Sequence, residues 1–285
     1  MGATGSGKSK LSIDLATRFF PSEIINSDKI QVTKGLNITT NKISIPEQRQ
    51  VVHHLLGEFS DELSPSDFRF TADVRISDII NRRKIPFIVG GSNSFIYALL
   101  SNQFEPGFDF FDESNPVQPV LSNELRYRCC FIWVDVLPPV LHQYLDERVD
   151  NMMNSGMYDE LEEFFHSNGF SSSNQRTGLR RAIGVPEMEG YFREYKNCST
   201  VQEKRKLYEE AVKQIKGNTW ELAMKQLWKI QRLRESGWDL QRVDATEAFR
   251  TEMMSPEKRK IPVTEIWEKE VVIPSMKIVK HFLLE

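Results

Sequence analysis

Residues 2–9, with the sequence GATGSGKS, limit what this chain can fold into more than any other stretch. They match the pattern G-x-x-x-x-G-K-[ST] at all four fixed positions. Such glycines let successive backbone N–H groups surround an anion, and a helix starting near Lys8 adds its positive dipole end. The lysine reaches the outer phosphates, and the Ser9 hydroxyl can bind Mg²⁺. We therefore predict a diphosphate or polyphosphate site made by Gly2, Ala3, Thr4, Gly5, Ser6, Gly7, Lys8 and Ser9.

The composition is that of a globular protein. Of the 285 residues, 40% are hydrophobic and 27% are charged, and this balance is enough to build a large core. The net charge of −3 argues against a protein that grips nucleic acid non-specifically, because such proteins are usually strongly basic. No apolar run approaches the roughly 20 residues of a membrane span, so no membrane partner is expected.

Several short apolar runs end in polar residues, as strands of a parallel sheet do at a ligand-binding rim. Asp28 follows one such run, the turn Gly90-Gly91 follows a second, and Asp135 ends a third. We predict an α/β fold, a parallel sheet of the P-loop NTPase type flanked by helices. Because the carboxyl ends of parallel strands share one rim, Asp28 should lie beside the loop of residues 2–9.

The predicted organisation places a helical subdomain inside this fold. Residues 138–235 carry long helical patterns without a strand signal, so they are assigned to a subdomain that contributes to the nucleotide site. Residues 1–137 and 236–285 form the α/β core, with a short helix over 46–52 and a helical tail over 264–285 interrupted at Pro274. A loop like residues 2–9 normally follows a buried strand, so we expect a truncated sequence whose targeting region is not visible.

Two groups of titratable residues have alternative interpretations. Asp28 on the rim is either a general base for a nucleophile that attacks a phosphorylated substrate or a turn aspartate, and spacing alone does not decide. Asp135 is a further candidate carboxylate. The pair His53-His54 has no third ligand nearby, so a structural or adenine-neighbouring role is favoured over a metal site.

Six motifs in this order resemble those of the plant adenylate isopentenyltransferases of cytokinin biosynthesis. Their relatives, the tRNA dimethylallyltransferases, share the loop, the Ser-Asp-x-x-Gln element, the His-His-Leu element and the Gly-Gly turn. The resemblance runs nearly end to end, and its motifs are residues 2–9 (GATGSGKS), 26–32 (NSDKIQV), 35–42 (GLNITTNK), 53–57 (HHLLG), 90–94 (GGSNS) and 178–187 (GLRRAIGVPE).

The resemblance implies a metal-assisted alkyl transfer from dimethylallyl diphosphate to N6 of ATP, ADP or AMP, with release of diphosphate. Lys8, Ser9 and the loop amides would hold the leaving diphosphate with Mg²⁺, the implied cofactor, and Asp28 would orient the amine and take its proton. The loop would then hold the prenyl donor instead of an ATP molecule undergoing hydrolysis.

The resemblance also implies a second basic site, for the phosphates of the acceptor. Arg181 and Lys229 match basic positions of the plant enzymes, Arg180 and Lys225 are neighbours with the same candidate role, and Gln31 is a candidate contact to the base. The alternative is that these cations are solvated helix residues.

Two other functions compete with this one. A tRNA dimethylallyltransferase is disfavoured because no cysteine follows Cys198, the Gly-Val-Pro-Glu variant is of the plant nucleotide type, and the net charge is negative. A small-molecule kinase is the more distant alternative. We expect dimethylallyl diphosphate and an adenine nucleotide as partners, no tRNA, a monomer, and a plastid or cytoplasmic location.

Overall fold

The computed structural model describes residues 1–19, 21–112, 119–170, 176–195 and 197–285. In chain order, its first half contains the elements α1 (Lys8–Ala16), β1 (Ser22–Asn26), β2 (His53–His54), α2 (Pro65–Asn81), β3 (Ile85–Val89), α3 (Asn93–Leu100) and β4 (Phe131–Asp135). The second half contains α4 (Pro138–Met152), α5 (Tyr158–Asn168), α6 (Val185–Tyr195), α7 (Val201–Glu235), β5 (Leu240–Asp244), α8 (Thr246–Glu252), α9 (Val263–Trp267) and α10 (Ile273–Leu284).

All of these strands pair in parallel. β1 lies between β2 and β3, with Ile24 opposite His53 and Asn26 opposite Val89. β4 pairs with β5, and Asp135 is opposite Asp244 at the carboxyl ends. The backbone at the start of the chain extends along β4, since the Met1 amino group donates to the Ile132 carbonyl at 2.6 Å and Val134 N–H donates to the Met1 carbonyl. The predicted fold class, a parallel sheet flanked by helices, is confirmed.

Apolar side chains on both sides of the strands form the main core. One cluster joins β1, α2 and α3, where the rings of Phe68 and Phe95 stack with centroids 4.3 Å apart. A second cluster joins α1, α4 and the C-terminal helices, and it includes Leu141, Leu145 and Trp267. Burial on both faces is typical of a parallel sheet. The loop of residues 2–9 packs on the second cluster, which includes its Ala3.

The helices between β4 and β5 build a core of their own. The cluster contains Val149, Met157, Leu161, Val185 and Ile215, contributed by α4 to α7. α4 and α5 meet at a kink where Gly156 has φ 101°. The long helix α7 starts in this cluster and ends in the main core, where Ile230 and Leu233 are buried. The subdomain bounds of 138 and 235 stay a prediction, because α7 belongs to both cores.

Two local expectations are wrong. Residues 46–52 form turns instead of a helix, since Arg49 and Gln50 have φ values of 48° and 63°, which no α-helix tolerates. The tail is not interrupted at Pro274, because a π-helical turn at Glu268–Val272 leads directly into α10 and places Pro274 in its first turn. Proline lacks the N–H that a continuous helix uses, and the π-helical turn directly before it is the irregularity at this point of the tail. No helix in the described part of the chain is long and apolar enough to cross a membrane.

Candidate functional site

The loop of residues 2–9 packs tightly on the C-terminal part of the chain. Gly7 has φ 86°, and a Cβ atom there would lie 2.7 Å from Cη2 of Trp267. Trp267 in turn donates from Nε1 to Asp14 of α1 at 2.8 Å. The shape of the loop therefore depends on α9 as well as on its own glycines. We call this segment the phosphate loop below.

Asp28 follows β1, and its carboxylate is fixed by the backbone. Oδ1 accepts hydrogen bonds from the N–H groups of Ile30 at 3.0 Å and Gln31 at 3.2 Å. The Asn26 side chain accepts from the Asp28 N–H and thereby holds the start of the turn. Within the described residues, no hydrogen bond reaches Oδ2 of Asp28. One carboxylate oxygen is thus oriented by the fold, while the other is available to a ligand.

A pocket of about 570 Å³ brings the phosphate loop and Asp28 together. The turn after β3 closes one part of it, and residues of the helical region close another. This follows from the parallel sheet, whose strand ends meet at one rim. Its lining includes Thr4, Lys8, Ser9, Asp28, Gln31, Lys42, Gly91, Tyr144, Arg148 and Gln226.

The pocket is electropositive around Lys8. Burial lowers the pKa of Lys8 to about 8, an effect that Asp28 opposes and Arg148 reinforces. The ammonium group donates to the Ala3 carbonyl at 2.6 Å. Burial likewise lowers the pKa of Arg148. Two cations held close together in a partly dehydrated pocket favour an anionic ligand, since an anion offsets both the repulsion and the desolvation.

Two of the predicted acceptor cations influence Lys29, the residue that follows Asp28. The pKa of Lys29 is lowered by burial first and then by the charge of Arg181, with a smaller contribution from Lys229. Arg181 lies 3.6 Å from the Glu62 carboxylate, and the Lys229 ammonium lies 5.5 Å from the ring centroid of Phe111. Arg181 and Lys229 therefore act electrostatically on Lys29, the residue after Asp28, although neither of them lines the pocket that contains Asp28.

The other predicted nucleotide contacts are engaged locally. The Gln31 amide donates to the carbonyls of Thr40 and Asn41 and fixes the loop that covers the site. Arg180 donates to the carbonyls of Asn168 and Gly169 at the end of α5. Lys225 pairs with Glu221 on the exposed side of α7. Nucleotide-binding roles for these three residues stay predictions.

Several lining residues were not identified from the sequence, and two of them contact the phosphate loop itself. Gln226 and Arg148 both contact Thr4, from α7 and α4 respectively. The helical spacing of apolar residues could have indicated both of them. Gln226 continues the buried stripe formed by Thr219, Ala223 and Ile230, and Arg148 follows Leu141 and Leu145 at helical spacing. A polar side chain on a buried stripe indicates a polar partner across the interface.

Three further titratable residues, which do not line the pocket, have structural partners. Asp135 accepts from Arg242 at 2.7 Å on the neighbouring strand. His54 contacts the buried carboxylate of Glu23 through Nε2 at 2.7 Å, and His53 Nδ1 lies 2.8 Å from the Val51 carbonyl. In the described residues, no group of three His, Cys, Asp or Glu side chains could hold a metal ion. Both histidines have partners within the sheet region, and a role beside the adenine stays a prediction.

The sequence matches known proteins over its whole length. Residues 31–118 and 108–232 match the IPP transferase family. An adenylate isopentenyltransferase from Humulus lupulus is 53% identical over all of this chain and 89% of that protein. Adenylate isopentenyltransferase 1, chloroplastic, from Arabidopsis thaliana is 49% identical over all of this chain and 80% of its own length.

Solved structures agree on the fold. A eukaryotic dimethylallyltransferase acting on tRNA superposes with a TM-score of 0.78 at 24% identity, covering 99% of this chain and 78% of that one. The tRNA delta(2)-isopentenylpyrophosphate transferase of Staphylococcus epidermidis superposes with a TM-score of 0.71 at 20% identity, covering 99% and 97%. At these identities the likeness shows the shared fold alone.

Proposed function

Because this chain belongs to the IPP transferase family, among the plant adenylate isopentenyltransferases, we propose how it performs their reaction. The reaction transfers a dimethylallyl group from dimethylallyl diphosphate to N6 of an adenine nucleotide. The lone pair of N6 attacks C1 of the donor, the C1–O bond breaks, and diphosphate leaves with the electron pair. One N6 proton must be removed, so the site needs a base beside an anion-binding loop.

The observation that carries this assignment is the arrangement of Asp28. One of its oxygens is fixed by two backbone N–H groups, while Oδ2 is available in the pocket that also contains Lys8 and Ser9. A carboxylate held this way can accept a hydrogen bond from N6, orient the amine toward C1 and take its proton. The turn that fixes Asp28 thus serves the chemistry.

The phosphate loop acts on the leaving group. As the C1–O bond breaks, negative charge grows on the departing diphosphate, which Lys8 and the free N–H groups of the loop would stabilise. Lys8 donates to the Ala3 carbonyl at 2.6 Å, so its ammonium is already held at the loop. Stabilising the leaving group is the main catalytic requirement, because an allylic carbon ionises readily once the diphosphate is neutralised.

Mg²⁺ fits the donor groups at this rim. The Ser9 side chain is exposed at the start of α1, and both Ser9 and Asp28 line the pocket. Mg²⁺ is usually held by one or two protein oxygens together with water and substrate phosphates. Ser9, with Asp28 nearby, would hold the ion, which would neutralise diphosphate charge when bound.

For the acceptor, we propose that Arg181 and Lys229 bind the nucleotide phosphates. Both lie near Lys29, the residue after the candidate base. A free nucleotide places its 5′-phosphates within reach of the base-binding region, whereas an adenine inside tRNA has a sugar-phosphate chain on both sides. The cation cluster, together with the names of the relatives, favours ATP, ADP or AMP over tRNA.

Two finer assignments follow from the same reasoning. We propose a monomer, and light scattering after gel filtration measures this. Some relatives carry the labels chloroplastic or mitochondrial in their names. For this protein we propose a plastid or cytoplasmic location, which imaging of a fluorescent fusion made from the full reading frame tests.

Product analysis tests the function directly. The protein is incubated with dimethylallyl diphosphate, Mg²⁺ and an equimolar mixture of ATP, ADP, AMP and tRNA, and products are identified by mass spectrometry. We expect dimethylallylated nucleotides that retain their phosphates, together with released diphosphate. Preferential modification of tRNA would assign the alternative acceptor. Transfer or release of the ATP γ-phosphate would instead identify a kinase.

The base is tested by Asp28→Asn, which keeps the size of the side chain and removes its basicity. We expect turnover to fall at least 100-fold with the fold intact, within the range of roughly 10²–10⁴ for general base catalysis. Asp159→Asn on the exposed side of α5 is the matched control and should retain full activity. Wild-type turnover in folded Asp28→Asn protein would remove Asp28 from the mechanism.

A further inference from the structure

The motif at residues 35–42 forms a series of turns at the edge of the pocket, and we call residues 36–42 the covering loop. Asn41 and Lys42, at its end, line the pocket that contains Asp28. A segment without a helix or strand has few backbone bonds to fix it, so its conformation depends on contacts with the rest of the fold. The residue that anchors the covering loop therefore influences the shape of this side of the pocket.

One side chain of the helical region anchors the covering loop. Glu160, in the first turn of α5, accepts from the Ile38 N–H at 3.0 Å through Oε1. Its Oε2 accepts from both the N–H and the hydroxyl of Thr39, each at 2.7 Å, although Glu160 and Thr39 are 121 positions apart. A carboxylate that accepts from three donors forms charge-assisted bonds, which are stronger than neutral ones. Glu160 thus joins α5 to the α/β core.

The covering loop also packs closely on the helical region around Glu160. Leu36 is buried in the helical cluster, and Ile38 packs against it. A Cβ atom at Gly184, which has φ 107°, would lie 3.1 Å from Cγ2 of Thr39, so the turn before α6 accommodates the loop only as glycine. The helical region therefore fixes the loop by shape, and Glu160 adds the polar contacts.

Hydrogen bonds continue from the covering loop to the candidate base. The Gln31 side chain donates to the carbonyls of Thr40 and Asn41 in the loop. The Gln31 N–H in turn donates to Oδ1 of Asp28 at 3.2 Å. Ile30, whose N–H is the other donor to Oδ1, packs against the helical cluster. The orientation of the Asp28 carboxylate is therefore tied to the covering loop and to the helical region that holds it.

We propose that Glu160 is a positioning residue for the acceptor: by holding the covering loop it keeps Gln31, and with it the Asp28 carboxylate, turned toward N6 of the adenine. The inference rests on the proposed function, because it concerns the orientation of the candidate base. Glu160 is not among the described residues that line the pocket, so it acts through Gln31 and Asp28. It gives the helical region a part in recognising the adenine base.

Nucleotide selectivity tests this inference without requiring turnover. Inosine 5′-diphosphate carries an oxygen where ADP carries the N6 amine, so only ADP can donate to Asp28 from that position. Isothermal titration calorimetry without the prenyl donor measures both affinities. We expect the wild-type protein to bind ADP about 10- to 100-fold more tightly, the range for a hydrogen bond to a charged group. In Glu160→Gln, where an amide NH₂ group replaces one acceptor oxygen, this ratio should fall by about 3- to 10-fold.

Three further variants show whether the effect comes from the anchor. Glu160→Asp keeps both oxygens on a shorter side chain and should restore part of the selectivity. Glu163→Gln, on the exposed side of the same helix, is the matched control and should keep the wild-type ratio. Thr39→Val removes the hydroxyl donor and keeps the methyl group that faces Gly184. It replaces Glu160→Gln if that variant does not fold, and an unchanged ratio in Thr39→Val would then overturn the inference.

Steady-state kinetics separates positioning from a general loss of structure. We expect kcat to fall about 10-fold in Glu160→Gln, because a misplaced catalytic group can cost up to roughly 100-fold in rate. The KM for dimethylallyl diphosphate should stay unchanged, since the bonds of Glu160 go to the covering loop and not to the phosphate loop. A role in stability alone would lower Tm and leave both the kcat of the folded protein and the nucleotide selectivity as in wild type.

The outcomes also separate this inference from the proposed function. Wild-type kcat and selectivity in folded Glu160→Gln overturn the inference, even if the wild-type enzyme prenylates nucleotides. Equal losses of affinity for ADP and for inorganic diphosphate overturn it as well, because Glu160 would then act on the whole site. So does equal binding of ADP and inosine 5′-diphosphate by the wild-type protein.

If the wild-type protein yields no prenylated nucleotide, the proposed function fails and the inference depends on binding alone. Reduced selectivity for ADP in Glu160→Gln then still supports the orientation of Asp28 by Glu160. Unchanged selectivity in that variant overturns it.

Discussion

Oε1 of Gln226 accepts a hydrogen bond from the backbone N–H of Thr4 at 2.6 Å. The same amide donates through Nε2 to the Gly91 carbonyl at 3.1 Å, so one side chain joins the phosphate loop to the turn after β3. A Cβ atom at Gly91 would lie 2.4 Å from that Nε2, so the turn admits Gln226 only because residue 91 is glycine. The position of the loop thus depends on a residue of α7.

We expect Gln226→Leu to destabilise the protein and to impair the donor site. Gln226 is only 7% exposed, and leucine would leave the Thr4 N–H and the Gly91 carbonyl without this partner. A buried polar group without a partner costs about 1–3 kcal/mol. Urea unfolding should show a loss in that range, and the KM for dimethylallyl diphosphate should rise.

The control for this variant is Gln231→Leu. Gln231 lies on the same helix, where it donates to Glu235 on the exposed face. Its replacement should change stability by less than about 0.5 kcal/mol. If the two variants lost equal amounts of unfolding free energy, the loss would come from replacing any glutamine on α7. The hydrogen bond to Thr4 would then not be its cause.

The pKa of Lys8 predicts an alkaline limit to donor binding. A lysine is charged below its pKa, and burial brings the pKa of Lys8 to about 8. In the proposed mechanism it is protonated Lys8 that binds diphosphate, so kcat/KM for dimethylallyl diphosphate should fall as pH rises through about 8. A lysine at its ordinary pKa of 10.5 would give no such fall below pH 10. Lys8→Arg should move the limit upward.

Lys42 is the necessary comparison, because burial also lowers its pKa to about 8. Its ammonium donates to the Gly35 carbonyl at 2.6 Å, so Lys42→Arg should leave the alkaline limit in place. Unfolding does not explain the fall. The unfolded chain binds more protons than the folded one between the two pKa values, so this group makes stability rise with pH there. If Lys42→Arg instead moved the alkaline limit upward, the assignment of that limit to Lys8 would be wrong.

The sequence alone predicts those parts of the site that are contiguous in the chain or that directly follow a strand. The phosphate loop is a contiguous motif, and Asp28 follows a strand, so the parallel sheet alone places both at one rim. Arg148 and Gln226 could not be found this way. They contact Thr4 across 144 and 222 residues, and those contacts depend on how α4 and α7 pack on the loop. Helical periodicity gives a buried face but not the partner that it meets.

The local errors have an equally physical origin. Residues 46–52 contain good helix formers, but Arg49 and Gln50 adopt positive φ values as the chain turns into β2. Arg49 then pairs with Asp14 of α1, a contact that no local propensity predicts. The strand pairing of His53 and His54 with β1 decides the conformation of this segment. Tertiary contacts therefore override the local preference.

Gly7→Ala should abolish diphosphate binding, because the added Cβ would lie 2.7 Å from Trp267 in addition to straining a φ of 86°. Gly107→Ala is the matched control: Gly107 has φ 82°, with no described atom within 4 Å of its Cβ position. Backbone strain alone costs roughly 1–2 kcal/mol, so both variants lose that much stability. Only Gly7→Ala should also lose diphosphate affinity, which calorimetry measures. If Gly7→Ala and Gly107→Ala bound diphosphate equally well, the contact with Trp267 would not be needed for diphosphate binding.

Glu23 should be a main determinant of stability in acid. Its carboxylate is 2% exposed and pairs with Arg82, Lys84 and His54, so it ties β1 to β2 and to the chain between α2 and β3. Hydrogen bonds from Arg82, then from Lys84 and His54, hold the pKa of Glu23 far below its ordinary 4.5. This group therefore stabilises the fold at pH values above 4.5, and its contribution is lost as pH falls toward the folded-state pKa.

We expect Glu23→Gln to lower the free energy of unfolding by about 3 kcal/mol at pH 7, the lower end of the range for a broken buried ion pair, because Arg82 and Lys84 are partly exposed. The variant should also lose less stability than wild type between pH 4.5 and pH 3. Glu209→Gln, at an exposed pair with Arg205, should change stability by less than about 1 kcal/mol. Urea unfolding across this pH range measures both effects. Parallel acid profiles for Glu23→Gln and wild type would show that other carboxylates govern acid stability.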